Sequence, residues 1–344
     1  DAGVRTLVVR CPDWPLTALG VGPVEPALVL ASGRVVATTP AAREAGVARG
    51  QRLREAQFRC PEVRVMERDD SREARRFEVV AAALEDVTPW LEAWRPGSCA
   101  FGVRGPVRLS GGEVNLVGRT ARLVVAALDD LVGSSAGHPG CGIGVADGRF
   151  AAGLAAGAAD ASVVDGGGAV VVPPGGVPAF LAPLPVAVLG RPALVDVLVR
   201  LGLDTLGAFA ALPAADVVAR FGAEGRDAHR LASGMDGRPP DPRPVPPDLE
   251  VSVAFDPPVE RVDQVAFAAR SLSEALHGRL SDRGLACTLV LIEAETEHGE
   301  RLARRWRDEG VLGPGAVADR VRWQLEGWLH GPPATRPTSG ITRL

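Results

Sequence analysis

The sequence predicts an α+β protein of several domains, and three observations carry that expectation. Residues 5–170 alternate strand-like and helix-like segments in β-α-β-β-α-β order, the pattern of a ferredoxin-like sheet. A run with six prolines in the twelve residues 236–247 reads as a stiff, extended linker. Beyond it the β-α-β-β-α order returns, so a second and separate ferredoxin-like domain closes the chain. At 344 residues the chain is too long for one core, and about two to four domains are expected.

Composition narrows the class. With 46% hydrophobic and 23% charged residues the chain reads as globular rather than disordered. Its positive charge is all arginine; there is no Lys and no Tyr. The abundance of Ala, Gly, Val and Pro reads as GC-rich coding bias, which makes arginine content weak evidence for any function. Cysteines 11, 60, 99, 141 and 287 form no CxxC pair and are odd in number, which fits reduced thiols in the cytoplasm and not a zinc site. Histidines 138, 229, 277, 298 and 330 are scattered without ligand spacing. No signal peptide and no apolar run near the roughly 18 residues of a membrane span is visible. The start at Asp1 and the stop at Leu344, where a strand is beginning, read as cut ends.

Taken in order, Arg5 to Cys11 reads as a buried strand, broken by Cys-Pro-Asp-Trp-Pro because Pro cannot donate to a ladder. Pro26 to Thr38 predicts a hairpin turning at Ser32-Gly33. Pro40 opens a short helix ending near Gly46, and Leu53 to Arg59 makes another. Residues 15–77 hold 11 Arg against 8 acids, net +3, and are the one clearly basic part. A helix from about Arg72 to Thr88 carries Phe77, Val80, Ala81, Leu84 and Val87 along one side. Residues 91–105 read as a strand pair turning at Ser98-Cys99, followed by a helix from Glu113 to Leu131 and a strand running into a helix from Cys141 to Phe150. Residues 78–170 are net −4.

Gly166 to Pro178 reads as loop. Gly142, Gly144 and Gly148 have the wrong spacing for a dinucleotide fingerprint, and Gly166-Gly-Gly lacks the Gly-Lys-Ser/Thr of a P-loop. Asp129-Asp130 reads as a solvated helix end. Between Pro192 and Leu212 a Leu201-Gly202-Leu203 turn joins two helices with helix-hairpin-helix spacing. Its backbone N–H groups could cradle a nucleic-acid phosphate, although any tight helical corner carries the same pattern. After the linker come a strand (Leu249 to Phe255), a helix with Val262, Val265, Ala269, Leu272, Leu276 and Leu280 inward, a hairpin (Ala286 to Glu295, Arg301 to Trp306) and a last helix (Val317 to Leu329). Arg301, Arg304, Arg305 and Arg307 lie on the returning strand, which either faces DNA or is a charged, soluble edge. Residues 248–344 are net −3.

A split palm with inserted fingers, a helical thumb, a Pro-rich tether and a ferredoxin-like last domain, in this order, resembles a Y-family (UmuC/DinB-like) translesion DNA polymerase over nearly the whole chain. The resemblance implies a right-hand architecture with palm 1–14 and 78–170, fingers 15–77, thumb 171–235, linker 236–247 and little finger 248–344. Cys-Pro-Asp-Trp-Pro at 11, Arg-Glu-Ala-Gln-Phe-Arg-Cys-Pro-Glu at 54, Ala-Pro-Leu-Pro-Val-Ala-Val-Leu at 182 and Arg-Gly-Leu-Ala-Cys-Thr at 283 are most similar to the ImuB group. That group is the inactive-polymerase member of a bacterial mutagenesis complex.

Active members of the family hold two Mg²⁺ on three carboxylates. The first, in a pattern like hydrophobic-Asp-x-Asp-x-Phe, falls on Arg10 and its Asp neighbour on Pro12. The other two, the Asp-Glu of a Ser-Ile-Asp-Glu-Ala-Phe-like turn anchored on Ala100-Phe101, fall on Ser98 and Cys99. The resemblance therefore implies no metal, no cofactor and no catalysis. Of the cations that grip the triphosphate, a Tyr-x-x-Arg pair falls on Pro40 and Arg43, and the Lys of a Gly-Ile-x-x-Asn-Lys pattern on Arg149. Each is either a vestigial nucleotide contact or an arginine solvated at a helix start. Cys99 has no base near it in sequence, so a buried structural thiol is expected rather than a nucleophile.

The implied role is a cytoplasmic, nucleoid-associated scaffold in damage-induced mutagenesis. It would join a sliding clamp, a RecA-like accessory protein and an error-prone replicative-type DNA polymerase, with weak primer–template contacts through Gly202, Arg301, Arg304 and Arg305. Gln324-Leu-Glu-Gly-Trp328-Leu329 loosely resembles a clamp peptide, but Val321, Leu325 and Leu329 would pack it inward. One alternative is an active translesion polymerase with a rearranged metal site, for which Asp13, Glu92 and Glu113 are the acids near enough in sequence. Another is a DNA-binding module without protein partners.

Overall fold

The computed structural model describes residues 4–344 apart from 89, 134–139, 161–166, 237–248, 309–310 and 332–335. Strand β1 (Arg5–Arg10) buries Leu7, Val8 and Val9 and ends just before Pro12. Asp13-Trp14-Pro15 turns the chain into α1 (Trp14–Ala18), since a proline in the first helical turn forfeits no helical hydrogen bond. The hairpin of β2 (Ala27–Ala31) and β3 (Arg34–Thr38) turns at Ser32-Gly33, whose φ angles of 51° and 72° are those of a two-residue primed turn. Helix α2 (Pro40–Glu44) is capped by Thr39, whose hydroxyl accepts from the Ala42 amide. Helix α3 (Leu53–Arg59) follows. Strand β4 (Arg64–Glu67) was not predicted; it runs parallel to β2 and completes the sheet β3-β2-β4.

Helix α4 (Asp70–Glu85) starts at Asp69, whose carboxylate accepts the Arg72 amide at 2.8 Å. Strands β5 (Glu92–Arg95) and β6 (Ser98–Gly102) are joined at Pro96-Gly97. Gly97 takes the positive φ of 86°, so Ser98 and Cys99 open the second strand and do not form the turn, as had been expected. Helices α5 (Arg104–Ser110) and α6 (Glu113–Val132), strand β7 (Cys141–Asp147) and helix α7 (Arg149–Asp160) come next. Strand β8 (Gly167–Val171) corrects the loop expected over 166–178. Its glycines hid it, and parallel pairing with β7 makes it a strand.

Helices α8 (Val177–Leu181), α9 (Pro192–Arg200), α10 (Leu206–Ala210) and α11 (Ala214–Ala232) follow. Apart from Asp236, the linker expected over 236–247 lies outside the described residues. The remaining elements are β9 (Ala254–Val259), α12 (Val262–Ser281), β10 (Leu289–Thr296), β11 (Arg301–Arg307), α13 (Pro314–Leu329) and β12 (Ile341–Arg343). The strand expected from Leu249 thus begins five residues later, where β12 supplies a partner at Ala254. No helix among the described residues is long and apolar enough to cross a membrane.

The chain gathers into two compact units. The first comprises Asp1–Arg10, Ala100–Gly118 and Cys141–Pro242; the second comprises Cys11–Cys99, Arg119–Gly140 and Arg243–Leu344. In the first, β1 pairs antiparallel with β7 from Arg5–Asp147 to Arg10–Gly142, and β8 flanks β7. Helix α7 sits so close on this sheet that a Cβ at Gly144 would collide with the Ala152 carbonyl. In the second, β10 pairs antiparallel with both β11 and β12, and β11 runs parallel to β5. Helix α13 packs against both α12 and α4.

Candidate functional site

In the first unit Arg10 stands at the end of β1, opposite Gly142. Its guanidinium lies against α7, where a Cβ added at Gly157 would come within 2.7 Å of Nη1. The absence of a side chain at Gly157 is what makes room for the cation.

In the second unit the start of β6 is held by the preceding turn. The Gly97 carbonyl accepts from the Cys11 amide at 2.8 Å, and any Cβ on Gly97 would collide with Trp14. Trp14 is buried edge-on to Phe77, with centroids 5.5 Å apart, and donates from Nε1 to the Glu73 carbonyl at 3.1 Å. The Cys-Pro-Asp-Trp-Pro segment is therefore an anchor for this turn. Ser98 and Cys99 are both buried. Burial pushes the Cys99 thiol up to about 12, against a smaller opposing pull from Arg304, so the sulfur stays protonated at neutral pH.

None of these three residues is by itself a ligand that suits a divalent cation. A hard cation needs several anionic or carbonyl oxygens. Arg10 brings positive charge, Ser98 one neutral hydroxyl, and Cys99 a neutral thiol. The acids nearest in sequence are each committed to arginine. Asp13 accepts from Arg43 Nη1 at 2.9 Å to both oxygens and from Arg49 Nη2 at 3.3 Å. Glu92 accepts from Arg307 Nε at 2.9 Å. Glu113 takes Arg5 in a two-pronged contact at 2.7 Å on each side, and Arg5 also reaches Asp147 at 3.1 Å.

Arg43, expected at the triphosphate, thus rests on Asp13 with its guanidinium half exposed. Arg49, which the sequence reading passed over, joins it and also donates to the Pro12 carbonyl at 2.7 Å. Two cations around one carboxylate leave this corner net positive; for Arg49 the basic run 15–77 was the only sequence signal. Arg149 opens α7 after Gly148. There the Asp236 carboxylate accepts from the Phe150 amide at 2.7 Å, an acid favourably placed at a helix start. Nothing in the sequence marked Asp236 for that place.

Gly202 has the φ of 77° that its turn requires. The amides of Leu201, Gly202 and Leu203 all donate back to carbonyls of α9, at 2.9 to 3.1 Å. They close the helix end, so the expected phosphate cradle would need those bonds broken.

The four hairpin arginines do not share one face, because side chains alternate along a strand. Arg304 points inward beside Trp306 and is 4% exposed. Its Nη2 donates to Glu78 at 2.6 Å and to Glu85 at 3.4 Å. Arg301 pairs with Glu295 at 3.0 Å, and Arg305 stacks over Trp90 at 4.3 Å. Arg304 is thereby corrected from a candidate DNA contact to a core ion pair in this structure. Residues 324–329 are likewise packed inward, with Gln324 accepting from Trp306 Nε1 at 2.9 Å and donating to the Ile292 carbonyl at 3.0 Å.

Residues 18–157 match the impB/mucB/samB family. DNA polymerase IV of Halobacterium salinarum is 33% identical over 259 residues, 72% of this chain and 60% of that protein. DNA polymerase IV of Dehalococcoides mccartyi is 28% identical over 264 residues, 76% of this chain and 64% of that protein. The chain therefore spans less than two thirds of the length of these relatives. Among solved structures, a Dbh ternary complex superposes with a TM-score of 0.54 at 16% identity, covering 98% of this chain and 97% of that one. DinB from Sulfolobus solfataricus does so with a TM-score of 0.54 at 14% identity, covering 98% and 96%. Likeness at that identity shows the fold, the right-hand architecture of these polymerases.

The expectation that the chain is no enzyme is corrected by these relatives, which are named DNA polymerases and point to an enzyme. The inference had rested on three side chains. Arg10, Ser98 and Cys99 define what those positions cannot coordinate, and say nothing of what the rest of the chain contributes.

Proposed function

Because the chain belongs to the Y-family (UmuC/DinB-like) DNA polymerase superfamily, we propose that it works on primer–template DNA in translesion synthesis. The observation that carries this reading is the similarity to DNA polymerase IV across 72% of the chain. The net-positive corner of Asp13, Arg43 and Arg49 supports it as a place for an anionic substrate, as do the exposed Arg301 and the stacked Arg305 as backbone contacts. The division into palm, fingers, thumb and little finger belongs to the same proposal.

Nucleotide addition, the activity in the relatives' name, draws on divalent metal in this superfamily, to neutralise the triphosphate and activate the primer hydroxyl. None of Arg10, Ser98 and Cys99 is by itself a ligand that suits that metal, so Asp13, Glu92 and Glu113 are the carboxylates to test. A second role, joining a sliding clamp, a RecA-like accessory protein and an error-prone replicative-type polymerase, is favoured by the motifs shared with the ImuB group. It holds whether or not this chain itself extends a primer.

The test is primer extension and primer–template binding by the full-length protein, with Mg²⁺ and with Mn²⁺, on intact and damaged templates. Salt-sensitive binding with template-dependent incorporation is expected, and Asn or Gln at the three acids would identify the carboxylate used. Neither binding nor incorporation in any condition would sink the proposal. Co-purification of the clamp with the full-length protein tests the second role, and its failure would remove that role alone.

A further inference from the structure

Within the second unit, Arg72, Arg75 and Arg76 on α4 line a cleft of about 390 Å³ together with Asp69, Leu131 and His330. That volume lies in the range of small-molecule sites, and its wall is dominated by charge rather than by apolar side chains. The three arginines are held unequally. Arg72 donates from Nε to the Ala18 carbonyl at 2.9 Å and from Nη2 to that of Leu19 at 3.3 Å, which fixes its side chain at the end of α1. Arg75 reaches Glu326 at 3.3 Å, and His330 shares the same carboxylate at 3.4 Å. Asp69 is occupied with the Arg72 amide as helix cap.

Arg76 makes no hydrogen bond or ion pair among the described residues and is only partly exposed. Burial, and then the like charges of Arg72 and Arg75, push its pKa down, so the ionised form is held at a cost. A planar guanidinium without a counter-charge, crowded by two others around a cleft, lacks one partner: an oxyanion. Phosphate matches that fork better than a carboxylate does here, because it can accept from two or more guanidinium groups at once.

We propose that this cleft binds a phosphate-bearing ligand, with Arg76 as the principal donor, Arg75 as the second, and Arg72 as the fixed wall. The ligand is either a small polyphosphate or the sugar–phosphate backbone of a nucleic acid, which share the chemistry the cleft recognises. The site uses none of the residues invoked for nucleotide addition and does not rest on that reading.

The test measures binding to the full-length protein by calorimetry and thermal shift at constant ionic strength. The probes are inorganic pyrophosphate, a short single-stranded oligonucleotide, and sodium sulfate as an ionic control. Saturable binding of one of the first two is expected, weakened at least tenfold by Arg76→Gln and less by Arg76→Lys. The melting temperature without ligand should not fall in Arg76→Gln, which separates loss of the site from loss of the fold. Pyrophosphate binding assigns the small polyphosphate; oligonucleotide binding without it assigns the backbone. Affinity unchanged in Arg76→Gln, or no saturable response to either probe, would overturn the site.

Discussion

Two arginine-rich stretches, β11 and the first turns of α4, look alike in sequence and end in opposite electrostatic states. On β11 each arginine has found a partner: Arg301 pairs with Glu295, Arg304 with Glu78 and Glu85, Arg307 with Glu92, and Arg305 has the face of Trp90. On α4, Arg72 is spent on carbonyls, Arg75 on one shared carboxylate, and Arg76 has two like charges beside it and no ion-pair partner among the described residues. Charge counts point the same way, since residues 15–77 are net +3 and the final domain net −3, yet the acids that match Arg304 and Arg307 lie outside that domain. What decides is which acids the fold brings near. A stretch whose charges are matched contributes to stability, and one whose charges are unmatched is left for a ligand.

The largest break in this contrast is expected at Arg304. Arg304→Met leaves Glu78 buried without its counter-charge, and loss of one partner of a buried pair costs about 3–5 kcal/mol. Urea denaturation should show it. Adding Glu78→Gln to that variant should recover much of the loss, because the orphaned charge is gone. A double variant no more stable than the single one would mean that packing, not charge, sets the cost.

The same pair gives stability a pH dependence with a definite sign. Burial raises the Glu78 pKa above the ordinary carboxylate value of 4.5; Arg304 opposes the shift, and Glu85 adds to it. Between 4.5 and the raised value the folded state holds a proton that the unfolded state has released, so stability falls as pH rises through that window. Denaturation of wild type and Glu78→Gln at a series of pH values should give a difference that changes in this direction and then levels off. A difference independent of pH would show that Glu78 titrates as it does when unfolded.

Much of the fold was readable because it is local. Helical spacing marked α4, α6 and α12, the Ser32-Gly33 turn marked its hairpin, and α3 begins and ends at the residues its pattern indicated. Strands β4 and β8 were not readable. Arg-Val-Met-Glu is short and charged, Gly-Gly-Ala-Val-Val opens on glycines, and each is a strand only by pairing with β2 or β7. The candidate site divides the same way. Motif position picked out Arg10, Ser98 and Cys99, whereas Arg43 meets Asp13 across 30 residues and Arg304 meets Glu78 across 226. No sequence pattern marks pairings of that separation, and they decide which arginines remain available.

The smallest expected effect lies on the unmatched side and sharpens the contrast most, because its sign is reversed. Arg76→Gln keeps a helix-forming side chain with a polar end and removes a charge whose neighbours of like sign disfavour it. Partly exposed sites of this kind change stability by roughly 0.5 kcal/mol or less, so the shift should be slight, and it should be upward. Salt should narrow it, because screening already relieves the repulsion that the substitution removes. Chemical denaturation of the ligand-free protein at low and high ionic strength reads both features together. A clear loss of stability, insensitive to salt, would place Arg76 among the matched arginines and erase the difference between α4 and β11.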